Sequence, residues 1–335
     1  RDFCLSRGLG DVYKRQAYVD FLSSTAEDHI ISWSLGDWLD LNPDPNSQAS
    51  NLTPVAQTST AGYYWMSRKL ADYAQILGYD KRLSEHYWEL ADSIKDKFNR
   101  EFLDYETGIY AENSQTAQAL PLALGLVPDE MEEKVRQRLL DAIDMRNGHI
   151  SAGFIGGNFT MDYLPGNGYF DVAYKMLTQP ESPGWLHMVR SSKSTMSESI
   201  NLNGPGSGHH PYGAYIGFWL YKYLGGIRAD EDKPGFREFI IEPGLGSGLE
   251  EACTSYHSLY GEIVSAWKKR GDRITLTIRV PANSVAELIL PSEMIGGNLR
   301  VNNTRIRNIP AISLITAGNG KTHYSVGSGT YEFRF

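Results

Sequence analysis

Cysteine is nearly absent: Cys4 and Cys253 are the two in 335 residues. Two are too few for a disulfide framework, so the fold must rest on its core. Basic surplus is also missing. Lys+Arg number 32 against 40 Asp+Glu, for a formal net charge of -8. That balance excludes the electropositive footprint of a nucleic-acid or anionic-membrane binder. No long hydrophobic run occurs. The longest strongly apolar stretch, Tyr212 to Leu220, is 9 residues, and a spanning helix needs about 20. No apolar segment of the kind a signal peptide requires follows Arg1, and any export signal is expected upstream. Nucleotide and protease signatures are lacking too. Gly153-Phe-Ile-Gly-Gly and Gly204-Pro-Gly-Ser-Gly fit neither a dinucleotide fingerprint nor a P-loop, and no βαβ pattern surrounds them. There is no nucleophile elbow, no convincing Cys/His pair and no H-E-x-x-H. No cofactor and no metal is expected.

What is present is globular in texture, with 41% hydrophobic and 21% charged residues. The length suggests two domains at roughly 150 residues each. Aromatics are abundant, with 7 Trp and 20 Tyr. Aromatic surplus without basic surplus suits flat, neutral, hydroxyl-rich ligands; a Tyr-rich core accounts for it equally well.

The first two thirds read as helical hairpins. Tyr63, Met66, Leu70, Tyr73, Ala74 and Leu77 recur at helical spacing, and Gly78 ends that helix. Leu83, Tyr87, Leu90, Ile94 and Phe98 repeat the pattern. A second hairpin follows: Ser114 to Leu124 closed by Gly125, then a helix capped by Asp129 with Met131, Val135, Leu139 and Ile143 inside. A Gly-rich loop is expected from Gly148 to Phe159, then helices near Met161 to Leu164 and Gly168 to Leu177. An irregular stretch, Pro180 to Gly208, precedes a helix from Tyr212 to Leu224. Hairpins alternating with long loops suggest an α/α toroid, and long loops in a compact domain are usually functional.

After Asp230 the period changes to two. Ile274, Leu276, Ile278 and Val280 alternate with polar residues, and Lys269-Arg-Gly-Asp reads as a hairpin turn. With Glu238 to Glu242, Val285 to Leu290 and Tyr324 to Phe335, this half is expected to be an antiparallel β-sandwich. The expected division is a helical catalytic domain over 17–230 and a sandwich over 231–335. Residues 1–16 stand apart: Cys4 to Gln16 lacks periodicity and resembles a translated sequencing adapter. Native sequence is then expected to begin near Ala17, within a helix.

Three places bear candidate chemistry. Gly36-Asp-Trp-Leu-Asp sets Asp37, Trp38 and Asp40 in one short acidic, aromatic segment. An indole can stack on the C–H face of a sugar while a carboxylate binds its hydroxyls. The same residues also suit a helix cap at Asp37 with Trp38 filling core. The loop Ser191 to His210 has a single carboxylate, Glu198, which suits a general base or a solvated surface residue. His209 and His210 end that loop without metal-ligand spacing; one of them suits a hydrogen-bonding pocket residue or a helix start. Trp185, in Ser182-Pro-Gly-Trp, fits a sugar subsite or a plug in the toroid.

Taken in order, seven motifs form a series. They are Gly36-Asp-Trp-Leu-Asp; Ser114-Gln-Thr-Ala; Gly148-His-Ile-Ser-Ala-Gly-Phe-Ile-Gly; Thr195 to Glu198; His210 with Tyr212-Gly-Ala; Gly217-Phe-Trp-Leu-Tyr; and Gly226-Ile-Arg with Pro234-Gly-Phe and Phe239-Ile-Ile-Glu-Pro. The series resembles the C-terminal part of the bacterial α-L-rhamnosidases, glycoside hydrolase family 78, from Ala17 to about Leu290. The resemblance implies an incomplete (α/α)6 six-hairpin barrel followed by a β-sandwich. It implies hydrolysis of terminal α-L-rhamnosides with inversion, in which one carboxylic acid protonates the leaving oxygen and a second carboxylate activates water. It makes Glu198 the base, Trp38 a rhamnose contact and His210 a pocket residue, beside substrate-binding Asp37, Asp40 and Trp185. Ser197 stands where the family has Trp. The family's general acid lies in a loop well upstream of Gly36-Asp-Trp, and none of the 35 residues before Gly36 matches it. These residues alone are therefore expected to be inactive. The alternatives are another six-hairpin glycosidase and a non-catalytic carbohydrate-binding protein. The expected partner is a rhamnose-containing glycoside or oligosaccharide, not nucleic acid or a membrane.

Overall fold

A computed structural model of the chain describes residues 2–41, 49–79, 81–191, 195–200, 207–208, 211–245, 248–295 and 299–335, with side chains outside 2–12 and 211–214. The chain divides into two compact units. One comprises 1–167 and 175–213, the other 168–174 and 214–335.

The first unit is helical. Helix α1 (Asp2–Thr25) runs unbroken through the stretch that lacked periodicity. Helices α2 (Val55–Ile76) and α3 (Lys81–Phe102) form a hairpin. α3 is amphipathic: Tyr87, Ala91, Ile94 and Phe98, one helical face, are all buried. Gly78 has φ +68 and closes α2. Its amide donates to the Gln75 carbonyl and that of Tyr79 to Ala74, the paired bonds of a Schellman turn. The helix begins at Val55, earlier than expected, because its first turns bury polar Gln57, Thr58 and Thr60 instead of an apolar stripe.

A short strand pair, β1 (Leu103–Asp104) and β2 (Ile109–Tyr110), leads into α4 (Gln115–Leu124). Ser114 caps α4 by accepting from the Ala117 amide, and Gly125 closes it in the left-handed conformation. Helix α5 (Glu132–Asp144) buries Val135, Leu139 and Ile143. Asp129 does not cap it; Asp129–Met131 forms a 3-10 turn ahead of the helix. Helix α6 (Phe154–Gly166) starts inside the glycine-rich segment expected to be loop. Helices α7 (Phe170–Leu177), α8 (Trp185–Arg190) and α9 (Pro211–Trp219) follow. α2 packs on α1, α3 and α4, and α4 on α5 and α6. α2, α4 and α6 therefore form a row, and the loops feeding their N-termini converge.

The second unit holds two sheets, ordered β11-β12-β8-β4-β3 and β10-β9-β13-β7-β6-β5. Their strands are β3 (Ile227–Ala229), β4 (Glu238–Ile241), β5 (Glu251–Ser258), β6 (Gly261–Arg270), β7 (Arg273–Val280), β8 (Val285–Pro291), β9 (Arg300–Val301), β10 (Thr304–Arg305), β11 (Ile312–Gly318), β12 (Lys321–Val326) and β13 (Gly329–Arg334). Pairing is antiparallel except between β4 and β8, which run parallel. Tyr324 to Phe335 is two strands rather than one, and they belong to different sheets. Inward residues at period two make the core: Ile263 and Trp267, Leu276 and Ile278, Leu288 and Leu290, Tyr331 and Phe333. This unit takes in Ala214 onward. Within it Trp219 stacks on Phe170 with centroids 5.5 Å apart.

Candidate active site

The convergent loops of the helical unit carry the chemistry. Gly36 (φ +68) turns the chain into Asp37, and Leu39 is buried with φ +60. Leu39 holds a left-handed backbone without being glycine, a conformation that persists only where its surroundings enforce it. Here the two flanking aspartates do so.

Asp37 is 0% exposed. Its Oδ1 accepts from the amides of Ile155 (3.0 Å) and Gly156 (2.9 Å), and Oδ2 from the Gly153 amide (2.8 Å) and Thr116 Oγ1 (2.5 Å). Burial pushes its carboxyl above the ordinary range; the donors from Gly156, Thr116, Gly153 and Ile155 oppose that rise. Asp40, 6% exposed, binds the amides of Asn51 (2.8 Å) and Leu52 (2.6 Å). Burial raises its carboxyl too, opposed by those amides and reinforced by the nearby Asp37 charge. Both carboxylates are thus spent on the protein's own backbone. Asp37 is enclosed by its four donors, and Asp40 ties down the loop at Ser50 to Leu52. The indole between them, Trp38, is half-buried, and its carbonyl accepts from the Phe154 amide at 2.9 Å.

From here hydrogen bonds run across the loop end. Thr53 Oγ1 and Ser114 Oγ are 2.5 Å apart. Buried Gln115 donates to the His149 carbonyl (2.8 Å) and accepts from the Ser151 amide (2.8 Å). The His149 ring meets the Pro183 carbonyl at 3.0 Å. Two residues on, Trp185 begins α8. It is 2% exposed, so it fills core rather than lining a subsite, and its Nε1 is buried with no hydrogen-bond partner among the described residues. The Ser197 amide donates to Met188 Sδ on the same helix at 3.3 Å.

Glu198 is half-buried. Its Oε2 accepts from the Ser207 amide at 2.6 Å, and its own amide donates to the Ser207 carbonyl at 3.0 Å. The two ends of the loop thereby aim the carboxylate. His209 and His210 lie outside the described residues.

Two hollows open on this unit. One of about 540 Å³ has Asn51, Glu112 and Arg146 among its lining residues. One of about 370 Å³ is aromatic, with Trp33, Trp65 and Phe159. Neither is lined by Trp38 or Glu198 among the described residues. Among those residues no group of His, Cys, Asp and Glu is arranged to hold a metal, and no helix is long and apolar enough to cross a membrane.

Thr116, Gln115, Gly153 and Gly156 lie in motifs quoted above, but sequence alone assigned none of them a role, and Ser207 was not singled out. The glycine pair was visible, and what it served was not.

Helical hairpins with their loops collected at the N-termini of α2, α4 and α6, an aromatic–carboxylate segment and a loop-borne glutamate, and a separate two-sheet unit together have the fold class of a six-hairpin glycosidase domain followed by a C-terminal β domain. Residues 6–224 match the bacterial α-L-rhamnosidase six-hairpin glycosidase domain, and residues 226–304 match the bacterial α-L-rhamnosidase C-terminal domain. The chain belongs to the bacterial α-L-rhamnosidase family. An α-L-rhamnosidase of Formosa agariphila is 28% identical over 328 residues, covering 95% of this chain and 35% of that protein. The structure of an α-L-rhamnosidase from Dictyoglumus thermophilum superimposes with a TM-score of 0.85 at 29% identity, covering 97% of this chain and 37% of that one. The fold is also that of Streptomyces avermitilis α-L-rhamnosidase, solved in complex with L-rhamnose, with a TM-score of 0.84 at 24% identity over 98% of this chain and 31% of that one. The chain thus spans about a third of the length of these relatives.

Proposed function

We propose that the whole protein hydrolyses terminal α-L-rhamnosides of glycosides or polysaccharides with inversion, and that this chain supplies its general base, Glu198. The observation that carries the base assignment is the Ser207 amide, which holds one carboxylate oxygen at 2.6 Å on a long loop. A base that must deprotonate water on one face of a sugar needs such aim, because its partner acid stands roughly 6.5–9.5 Å away across the ring. Trp38, half-buried between two anchored aspartates, is the surface on which the C–H face of rhamnose rests. The acid-bearing loop has no counterpart in the sequence before Gly36, so these 335 residues bind or position sugar without turning it over.

The test is an aryl α-L-rhamnoside assay on the whole protein. Glu198→Gln is expected to lower turnover by about 10²–10⁴-fold, and proton NMR of the first product is expected to show the inverted anomer. Retained configuration, or turnover by the 335-residue chain by itself, would overturn the proposal.

A further inference from the structure

Helix α6 starts without a cap of its own. Its N-cap position is Gly153, which has no side chain, and it makes no side-chain cap bond. The first amides of a helix have no partner within it. Here four consecutive ones are satisfied from more than a hundred residues away. The amides of Gly153, Ile155 and Gly156 go to the Asp37 carboxylate, and that of Phe154 goes to the Trp38 carbonyl.

The fit leaves no slack. A Cβ on Gly153 would collide with the main chain of Asp37 and Trp38, and one on Gly156 with the Thr116 side chain. The positive end of the α6 dipole faces the carboxylate, which strengthens the clamp. The adjoining Leu39 backbone, at φ +60, is held in place as a result.

We propose that Asp37 is a positioning residue: together with the Trp38 carbonyl it closes the N-terminus of α6 and so fixes the backbone that carries the Trp38 indole. It touches no sugar. The value of a fixed indole for rhamnose rests on the proposed rhamnosidase reading; the clamp itself does not.

The experiment uses the full chain labelled with 5-fluorotryptophan, with the Trp38 fluorine resonance assigned through Trp38→Phe. Asp37→Asn keeps the shape but turns an N–H₂ toward a group of donors. Amide-exchange protection over 153–156 is expected to fall on the order of 10–100-fold, as loss of charge-assisted bonds implies. The Trp38 resonance should shift or broaden while those of Trp88, Trp219 and Trp267 stay in place. Thr116→Val removes one donor without charge or volume loss and should move the same two signals by a smaller amount. It decides the matter if Asp37→Asn does not fold. Unchanged protection and an unchanged Trp38 resonance in either folded variant would overturn the proposal. Rhamnoside turnover by the whole protein is a separate readout. If it were absent while both effects were present, the rhamnosidase reading would fall and the role of Asp37 would stand.

Discussion

Gly156→Ala is the sharpest probe of the way α6 is docked. The added Cβ would sit inside van der Waals contact of three Thr116 atoms: Oγ1, Cβ at 2.6 Å and Cγ2 at 2.7 Å. The helix cannot slide away, because the Gly153, Ile155 and Gly156 amides are all bonded to Asp37. Thr116 must rotate or α4 must move. Rotation loses the hydroxyl's bond to a buried carboxylate, about 1.5–3 kcal/mol. Overpacking adds about 1–3 kcal/mol. The intrinsic helical gain of alanine over glycine offsets only about 0.5–1 kcal/mol. The net loss is about 2–5 kcal/mol. For a domain of this size it lowers the melting temperature by roughly 4–20 °C.

The control lies in the same unit. Gly62, within α2, has open space where its Cβ would be, so Gly62→Ala should be neutral or raise stability by about 0.5–1 kcal/mol. Calorimetry or far-ultraviolet circular dichroism reads both. Thr116→Gly removes the colliding atoms, so combining it with Gly156→Ala should cost at least about 1 kcal/mol less than the sum of the single changes. If Gly156→Ala melts like the parent, or if the two alanine variants shift alike, the argument for a tight α4–α6 contact fails.

Further outcomes follow from the same geometry. From an ordinary carboxyl value of 3.8, burial raises Asp37 in the folded state. The folded chain then holds that proton more tightly than the unfolded chain, so the group's stabilisation is full below that value and is lost as pH rises through the raised one. Urea titrations stepped from about pH 3.5 to 7 should show the stability of the parent falling relative to Asp37→Asn as pH rises; the opposite slope would refute the assignment. Asp40→Ala strands the amides of Asn51 and Leu52. It should cost about 2–4 kcal/mol and speed amide exchange at those two positions; unchanged exchange there would show that Asp40 is not the anchor. In the sheet unit, Gly226 has φ +72, and a Cβ there would strike the main chain of Glu242 and Pro243. Gly226→Ala should destabilise that unit by about 3 kcal/mol or more, seen as an earlier calorimetric transition.

Much of the scaffold was legible in the sequence because its signals are local. Period-3.6 stripes such as Tyr87, Ile94 and Phe98 and period-two stripes such as Leu276, Ile278 and Val280 report which face is buried. Ser114, Gly78 and Gly125 mark helix ends through conformations fixed within a few residues. The same locality explains the misses. α6 begins in a glycine run with no side-chain cap, so nothing nearby announces a helix. Val55 to Thr60 is polar, so the stripe that would mark the start of α2 is absent. The β4–β8 pair is parallel, a matter of which strands meet rather than of their own composition.

The candidate site shows the limit most clearly. The residue types singled out Asp37, Trp38, Asp40 and Glu198 as candidates, and the resemblance of the ordered motif series joined them to a family. The residues alone could not say which partners each carboxylate meets. A carboxylate is the same group whether it faces a ligand or a helix end, and the partners that decide, Gly153 and Gly156 for Asp37 or Ser207 for Glu198, are set by contacts between distant segments. Tertiary structure gave Asp37 and Asp40 their backbone partners and set the indole between them. Trp185 became core by the same logic: burial is a property of the assembled layers, and no local pattern encodes it.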